Sequence, residues 1–180
     1  MTAPPAPAPF AIGLGANLGD DAARLGRFAA VAAWWARHGA VTTSRVYRSA
    51  ALTPGQPDYL NAALAVALRR PWPPHRVLAA LHGLEARAGR DRAREGRWGA
   101  RTLDLDLLVW GDRTVATARL VVPHPRLAER SFALAPLVDL FGPAGVAPGL
   151  PAPLGALLAE AGPPLAVTDY GFAPGAPPVA

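Results

Sequence analysis

Apolar residues recur along the chain at two spacings, and each change of spacing predicts a change of element. Residues 10–14 form a short apolar run that predicts a buried strand, ending in the glycine-rich bend Gly13-Leu-Gly-Ala-Asn-Leu-Gly19. Its glycines are spaced two and then four apart, not two and then three as in a dinucleotide fingerprint, so it reads as a plain strand-to-helix turn. Asp20 or Asp21 suits the cap of the next helix. Leu25, Phe28, Ala29, Ala32, Trp35 and Ala36 form that helix's apolar face, and Gly39 reads as its stop. Residues 41–48 and 59–68 predict two strands of a hairpin, joined by a loop over 49–57 with the turn signal Pro54-Gly55. After Pro71-Trp-Pro-Pro74, residues 75–88 predict a second helix with the stripe Leu78, Leu81, Glu85 and Ala88. Residues 102–110 predict a strand, turned by Gly111-Asp112 into an extended piece over 114–122. Pro123-His-Pro125 then leads into a short helix holding Arg130, Phe132 and Leu134. Strand, helix, two strands, helix, two strands is an α+β order with a partly antiparallel sheet.

Proline sets the expected limits of the working domain. Of 21 Pro, 13 lie in residues 1–9 and 141–180. The first stretch reads as a tail and the second as a mostly irregular arm with one short helix near 154–161, leaving residues 10–140 as the domain. A 180-residue chain buries roughly 70% of its unfolded surface, enough for a core without staples. Residues 1–9 hold four Pro and no charge, unlike a signal peptide. The longest apolar stretches, 28–36 and 62–68, fall short of the roughly 20 residues of a membrane span. A soluble cytoplasmic protein with no membrane partner is the expectation.

Charge narrows the chemistry. All 18 basic residues are Arg, and there is neither Lys nor Cys. That excludes a Walker-type loop, a Schiff base, a thiolate nucleophile and cysteine-held metals. Net charge is +5, which raises a nucleic-acid reading. The excess is local, however: Arg90, Arg92, Arg94, Arg97 and Arg101 stand against Asp91 and Glu95 in one loop, which suits a compact anion better than a duplex.

That loop flows into Thr102-Leu-Asp-Leu-Asp-Leu-Leu-Val-Trp110. Strict alternation puts Leu103, Leu105, Leu107 and Val109 on one face and Asp104 and Asp106 on the other, roughly 6.5–7 Å apart. At an effective dielectric near 20 the two carboxylates repel by about 2.4 kcal/mol. Two readings fit: solvated Asp offset by Arg97 or Arg101, or a Mg²⁺ site shared with substrate phosphates. Glu85 on an apolar stripe fits a rim position or an arginine pair, and His82 lies one turn before it. Asn61 shares a strand face with Tyr59. Trp98 and Phe132 fit either packing or the sandwiching of a planar heterocycle whose edge Asn61 would read.

Five segments carry a resemblance: residues 13–20, residues 44–48, Gln56-Pro-Asp-Tyr-Leu-Asn-Ala-Ala63, Arg97-Trp-Gly-Ala-Arg-Thr-Leu-Asp-Leu-Asp106 and Val122-Pro-His-Pro-Arg-Leu-Ala-Glu-Arg-Ser-Phe132. In this order they resemble the 6-hydroxymethyl-7,8-dihydropterin pyrophosphokinase family over about residues 10–140. The resemblance implies a ferredoxin-like β-α-β-β-α-β core, mostly antiparallel and flanked by helices, and ATP-dependent pyrophosphoryl transfer in folate biosynthesis. It implies Asp104 and Asp106 as ligands of two Mg²⁺, with ATP as co-substrate, and Arg92 and Arg101 as catalytic groups over the phosphates. The pterin side is implied to be Ser49, Ala50, Leu52, Tyr59, Asn61, Trp98 and Phe132. The ATP side is implied to be His82, Glu85, Arg92, Arg97, Arg101, Leu107, Arg119, His124 and Arg130. Segments 49–57 and 89–100 match the family's mobile lids. His82 stands where the family commonly has Gln, Ala50-Ala51 where Pro-Pro is frequent, Val121 for Thr and Ala100 for Pro. The first lid is about one residue short and the second about one residue long. Small-molecule partners, a monomer and no nucleic acid are the expectation. An RNA-binding face would carry its phosphates past Asp104 and Asp106, which repel them. Retention of the matched charged residues opposes an inactive scaffold.

Overall fold

The computed structural model describes residues 8–51, 53–90, 99–111, 113–163 and 166–174. The first strand, β1 (Phe10–Ala16), is longer than its apolar run. It sends Phe10, Ile12, Leu14 and Ala16 into the main core and leaves Ala11, Gly13 and Gly15 on the opposite face. The two glycines expected in a turn are therefore inside a strand. Helix α1 (Asp21–Ala36) begins at Asp20, whose carboxylate accepts the Ala23 N–H at 2.8 Å. It buries Leu25, Phe28, Val31, Ala32 and Trp35. Arg37 caps it, and Gly39 instead opens β2 (Gly39–Thr43). A Cβ on Gly39 would lie 2.1 Å from the Ala67 carbonyl oxygen, so only glycine fits that approach.

The expected strand over 41–48 is interrupted. β2 and β3 (Tyr47–Ser49) both pair with β4 (Tyr59–Leu68), and Ser44 spans the break between them. The Ala63 N–H donates to Ser44 Oγ at 2.8 Å, and the Ser44 N–H donates to the Ala63 carbonyl at 3.0 Å. Helix α2 (Pro74–Arg87) buries Val77, Leu81, Leu84 and Glu85, a stripe rotated from the expected one, with Leu78 and Ala88 only half-buried. Strand β5 (Asp104–Trp110) completes the sheet. Its order is β5-β1-β4-β3, with β2 beside β4 as well, and every pairing is antiparallel. This is the ferredoxin-like order expected from the resemblance.

One irregularity decides what β5 presents. Ala11 pairs with Val109 but Ile12 pairs with Leu107, so Leu108 is the extra residue of a bulge. Strict alternation placed Val109 with Leu103, Leu105 and Leu107. The bulge instead puts Leu108 and Val109 in the second core, while Trp110 returns to the main one.

Beyond β5, the piece expected as extended over 114–122 is a small hairpin of β6 (Val115–Ala116) and β7 (Val121–Val122). A 3₁₀ turn (Leu127–Glu129) leads to α3 (Ser131–Phe141), which is longer than expected, with Arg130 at its N-cap position. Then follow α4 (Leu154–Ala161) and a last short strand, β8 (Ala166–Val167), which pairs with the outer edge of β3. Helices α1 and α2 cover one face of the sheet. Helices α3 and α4 cover the other through Leu134, Leu137, Leu154 and Leu157.

Asp139 clamps α3 to the β2–β3 edge. It takes Arg45 through Nη2 at 2.7 Å and the Tyr47 hydroxyl at 2.8 Å. Burial pushes the Asp139 carboxyl up, but the hydrogen bonds from Arg45 and Tyr47 outweigh it and hold it below its usual range. Burial, then the Asp139 carboxylate, push Tyr47 up to about 12 from 10.0. Tyr47→Phe is expected to cost about 1–2 kcal/mol in urea unfolding at neutral pH. A raised folded pKa supplies stability below the unfolded pKa and loses it as pH climbs through the folded one. The parent protein should therefore lose stability between pH 10.0 and about 12 more steeply than the variant. Parallel alkaline limbs would remove Tyr47 from the clamp.

Candidate active site

The second face of the sheet is packed by α3 and α4 at one end and open at the other. At the open end the register sets Asn61, Gly15 and Asp104 in one row across β4, β1 and β5, and Ala63, Gly13 and Asp106 in the next. The floor of the central strand is glycine, so the polar side chains of the outer strands stand above it as walls. A Cβ on Gly13 would lie 3.1 Å from Leu108 Cδ1, already tighter than a relaxed contact.

The resulting cleft holds about 270 Å³. One wall carries Ser49, Ala50, Tyr59 and Asn61, the other Arg101, Asp104 and Asp106, and α3 with its approach supplies His124, Arg130 and Phe132. Asn61 is nearly fully buried and donates from Nδ2 to Ser49 Oγ at 2.9 Å. No donor among the described residues reaches its Oδ1, so that oxygen is available to an N–H in the cleft. A second cleft of about 320 Å³ adjoins the first, lined by His82, Leu107, Arg119 and Val121 among others. Asp106 and His124 line both.

The carboxylate pair is held unequally. Asp104 accepts Arg90 on Oδ1 at 2.6 Å and pairs with Arg101 through Oδ2. Asp106 has Arg130 at 3.9 Å. Burial pushes the Asp106 carboxyl up, and the neighbouring Asp104 adds to it against the pull of His124 and Arg130. Burial lowers His124, and Arg130 and Arg126 act with it against the pull of Asp106 and Asp104. His124 Nδ1 accepts the Arg126 N–H at 3.1 Å, so the neutral ring carries its proton on Nε2.

Glu85, completely buried, lines neither cleft. Its Oε1 accepts the Leu105 N–H at 2.9 Å and pairs with Arg90, so it fixes the start of β5 and the arginine that reaches Asp104. Leu52, Arg92, Arg97 and Trp98 lie outside the described residues.

Two residues that sequence reasoning did not single out organise the site. Arg90 bridges Glu85 and Asp104; it was one of five loop arginines, with nothing to rank it above Arg92. Asn17, fully buried, accepts the Arg101 N–H on Oδ1 at 2.7 Å and donates Nδ2 to the Pro57 carbonyl at 3.2 Å and Gln56 Oε1 at 3.3 Å. Its only signal was a place in a glycine-rich bend, where Asn is an ordinary turn residue.

Among the described residues no three His, Asp or Glu converge on a metal centre. Mg²⁺ bound together with substrate phosphates needs only one or two carboxylates, and Asp104 and Asp106 supply two on one strand face. Two guanidinium groups at Asp104 and the raised Asp106 both mark a position that demands positive charge. The donor set therefore fits the ion.

Sheet order and cleft place the chain in the ferredoxin-like α+β class, with its candidate site at one end of the sheet. A family model described as 7,8-dihydro-6-hydroxymethylpterin-pyrophosphokinase (HPPK) matches residues 11–142, and the chain belongs to that family. It is 41% identical over 129 residues to a Synechocystis protein named 2-amino-4-hydroxy-6-hydroxymethyldihydropteridine pyrophosphokinase, covering 72% of this chain and 64% of that one. The Bacillus subtilis protein of the same name is 37% identical over 133 residues, covering 72% and 75%. A mitochondrial folate synthesis bifunctional protein of Arabidopsis thaliana is 39% identical over 137 residues, covering 74% and 23%. The chain thus spans less than two-thirds of the Synechocystis and Arabidopsis relatives. The fold also matches Plasmodium falciparum HPPK-DHPS with pteroate, at a TM-score of 0.64 and 11% identity, over 89% of this chain and 43% of that one.

Asn17→Ala strands the Arg101 N–H and the Pro57 carbonyl together, and is expected to cost about 2–4 kcal/mol in urea unfolding. Asn17→Asp keeps the acceptor but sets a carboxylate against two oxygens, and should recover only part of that loss. An alanine variant as stable as the parent would show that the tie is dispensable.

Proposed function

We propose that the chain transfers the β,γ-pyrophosphoryl group of ATP to the hydroxymethyl oxygen of 6-hydroxymethyl-7,8-dihydropterin, releasing AMP, as a step of folate biosynthesis. The observation that carries this reading is the meeting of two clefts at Asp106 and His124, with arginines on both sides. A donor in one cleft and an acceptor in the other would bring a phosphorus and an oxygen together beside the carboxylate pair. Family membership supports the same substrates.

On this reading the first cleft takes the pterin. Asn61 Oδ1 accepts a ring or amino N–H, Ser49 and the backbone near Ala50 and Leu52 close that edge, and Tyr59 lines it. Phe132 and Trp98 stack on the ring faces. The second cleft takes the nucleotide, with His82, Leu107 and Arg119 along it and His124 and Arg130 where the phosphates arrive. Asp104 and Asp106 would hold two Mg²⁺, which when bound neutralise phosphate charge and lower the pKa of the attacking hydroxyl. Arg101, Arg92 and Arg97 grip phosphate oxygens through planar forks. Glu85 acts from below by holding Arg90.

The hydroxymethyl oxygen attacks Pβ in line, the Pβ–O bond to the α-phosphate breaks, and AMP leaves with the pair of electrons. The hydroxyl proton is released. Little covalent work falls to the protein, so positioning and charge neutralisation carry the rate. Exclusion of water by segments 49–57 and 89–100 protects the pyrophosphoryl group from hydrolysis. The working unit is a cytoplasmic monomer acting on small molecules; among the described residues no helix is long and apolar enough to cross a membrane.

Asp104→Ala and Asp106→Ala are each expected to reduce Mg²⁺-dependent AMP release by roughly 10²–10³-fold while leaving pterin affinity largely intact. Asn61→Ala should instead weaken pterin binding by about tenfold, through one lost hydrogen bond of a buried amide. AMP release by chromatography and pterin binding by calorimetry separate the two classes. Near-parental turnover in either aspartate variant would sink the assignment.

A further inference from the structure

The polypeptide after residue 142 lies beyond the part matched by the family model, yet it returns to the edge of the first cleft. Strand β8 pairs antiparallel with β3, Val167 opposite Tyr47 and Ala166 opposite Arg48. On its other side β3 pairs with β4, Tyr47 opposite Asn61 and Ser49 opposite Tyr59. The three-residue strand that carries Ser49 therefore has hydrogen-bonded neighbours on both edges. The Thr168 N–H and its hydroxyl both donate to the Val46 carbonyl, each at 3.0 Å. Phe172 is buried in the main core with its ring 5.7 Å from that of Phe28, which anchors the far end of the segment.

Between these anchors the Tyr170 hydroxyl donates to Asp21 Oδ2 at 3.0 Å. The same oxygen takes Arg48 Nη2 at 2.6 Å, while Asp21 Oδ1 takes Arg24 Nη1 at 3.2 Å. Arg24 also donates to the Asp58 carbonyl at 3.3 Å and the Asn17 carbonyl at 3.1 Å. Arg48 stands immediately before Ser49, and Asp58 immediately before Tyr59. Both roots of the loop between β3 and β4 thus converge on one carboxylate, and the C-terminal segment reaches it through Tyr170. Burial pushes the Asp21 carboxyl up, but the bonds from Arg48 and Tyr170 and the charges of Arg48 and Arg24 outweigh it and hold it low, so it stays an anion for all three donors.

We propose that residues 166–172 form a strap that positions the pterin-side wall of the cleft, with Tyr170 as a positioning residue acting through Asp21 on Arg48–Ser49 and on Asp58–Tyr59. The pterin half of this inference rests on the reading given under Proposed function; the strap's hold on the loop roots does not. Tyr170 is not itself among the residues that line the cleft. Its loss leaves the Asp21–Arg48 and Asp21–Arg24 pairs in place but less constrained, so the wall loosens without the core opening. No residue of the strap is among those lining the second cleft, and the nucleotide side is expected to be unaffected.

The test uses the full chain with Tyr170→Phe, which keeps the ring and removes the hydroxyl, and Thr168→Val as a second variant at the β8 end. Hydrogen exchange of amides 47–51, 53, 55, 56 and 58 is read first, because it needs no substrate. About three- to tenfold faster exchange in both variants is expected, from the loss of one hydrogen bond in Tyr170→Phe and of two in Thr168→Val. Unchanged exchange there would overturn the proposal. Steady-state kinetics supply the second reading. KM for the dihydropterin should rise by about three- to tenfold, with kcat and the ATP KM within about twofold. A parallel rise in both KM values, or a fall in thermal midpoint with no split between them, would reduce the strap to a plain stabiliser and overturn the positioning role. If the parent protein releases no AMP from these substrates, the proposed reaction falls, while the exchange measurement still decides the strap.

Discussion

Two carboxylates fixed on one face of one strand, partly withdrawn from water, are the constraint on which the rest of this structure turns. Asp104 and Asp106 repel each other, and the low-dielectric surroundings sharpen the repulsion. The protein answers with arginines drawn from separate elements: Arg90 beyond α2, Arg101 ahead of β5, and Arg130 at the start of α3. Glu85 and Asn17 in turn hold Arg90 and the backbone of Arg101, so their buried polarity serves the pair at one remove. The imbalance that remains at Asp106 is what a metal–phosphate complex would relieve.

The rest of the sheet makes room for that pair. Glycines at 13 and 15 lower the central strand, and the bulge at Leu108 ends the polar face of β5 by turning its next residues into the second core. The Asp139 clamp sets α3 against β3, which places Phe132 and Arg130 across the cleft from Asn61.

Much of this was legible in the residues. The strand over 59–68, the helix over 154–161 and the carboxylate pair followed from spacing, because period and like charge at i and i+2 are local properties. What escaped was set by partners distant in sequence. Gly13 and Gly15 read as a turn because glycine carries no side chain to reveal a strand face. Val109 changed face because a bulge is a relation between two strands. Leu78 gave way to Val77 and Ala88 to Leu84, because the packing of α2 on β5, not its own spacing, sets its rotation. The exclusive use of Arg, first an oddity of composition, shows at the site, where Arg90 meets both Glu85 and Asp104 through one guanidinium nitrogen, Nη1.

The identity of the transferred group is the most direct test of the whole account. Phosphorus NMR of the parent protein with Mg²⁺, ATP and 6-hydroxymethyl-7,8-dihydropterin should show AMP together with a diphosphate ester, seen as two coupled phosphorus signals on the pterin product. ADP with a monophosphate ester would contradict attack at the β-phosphorus, and with it the claim that the two clefts bring that phosphorus to the carboxylate pair.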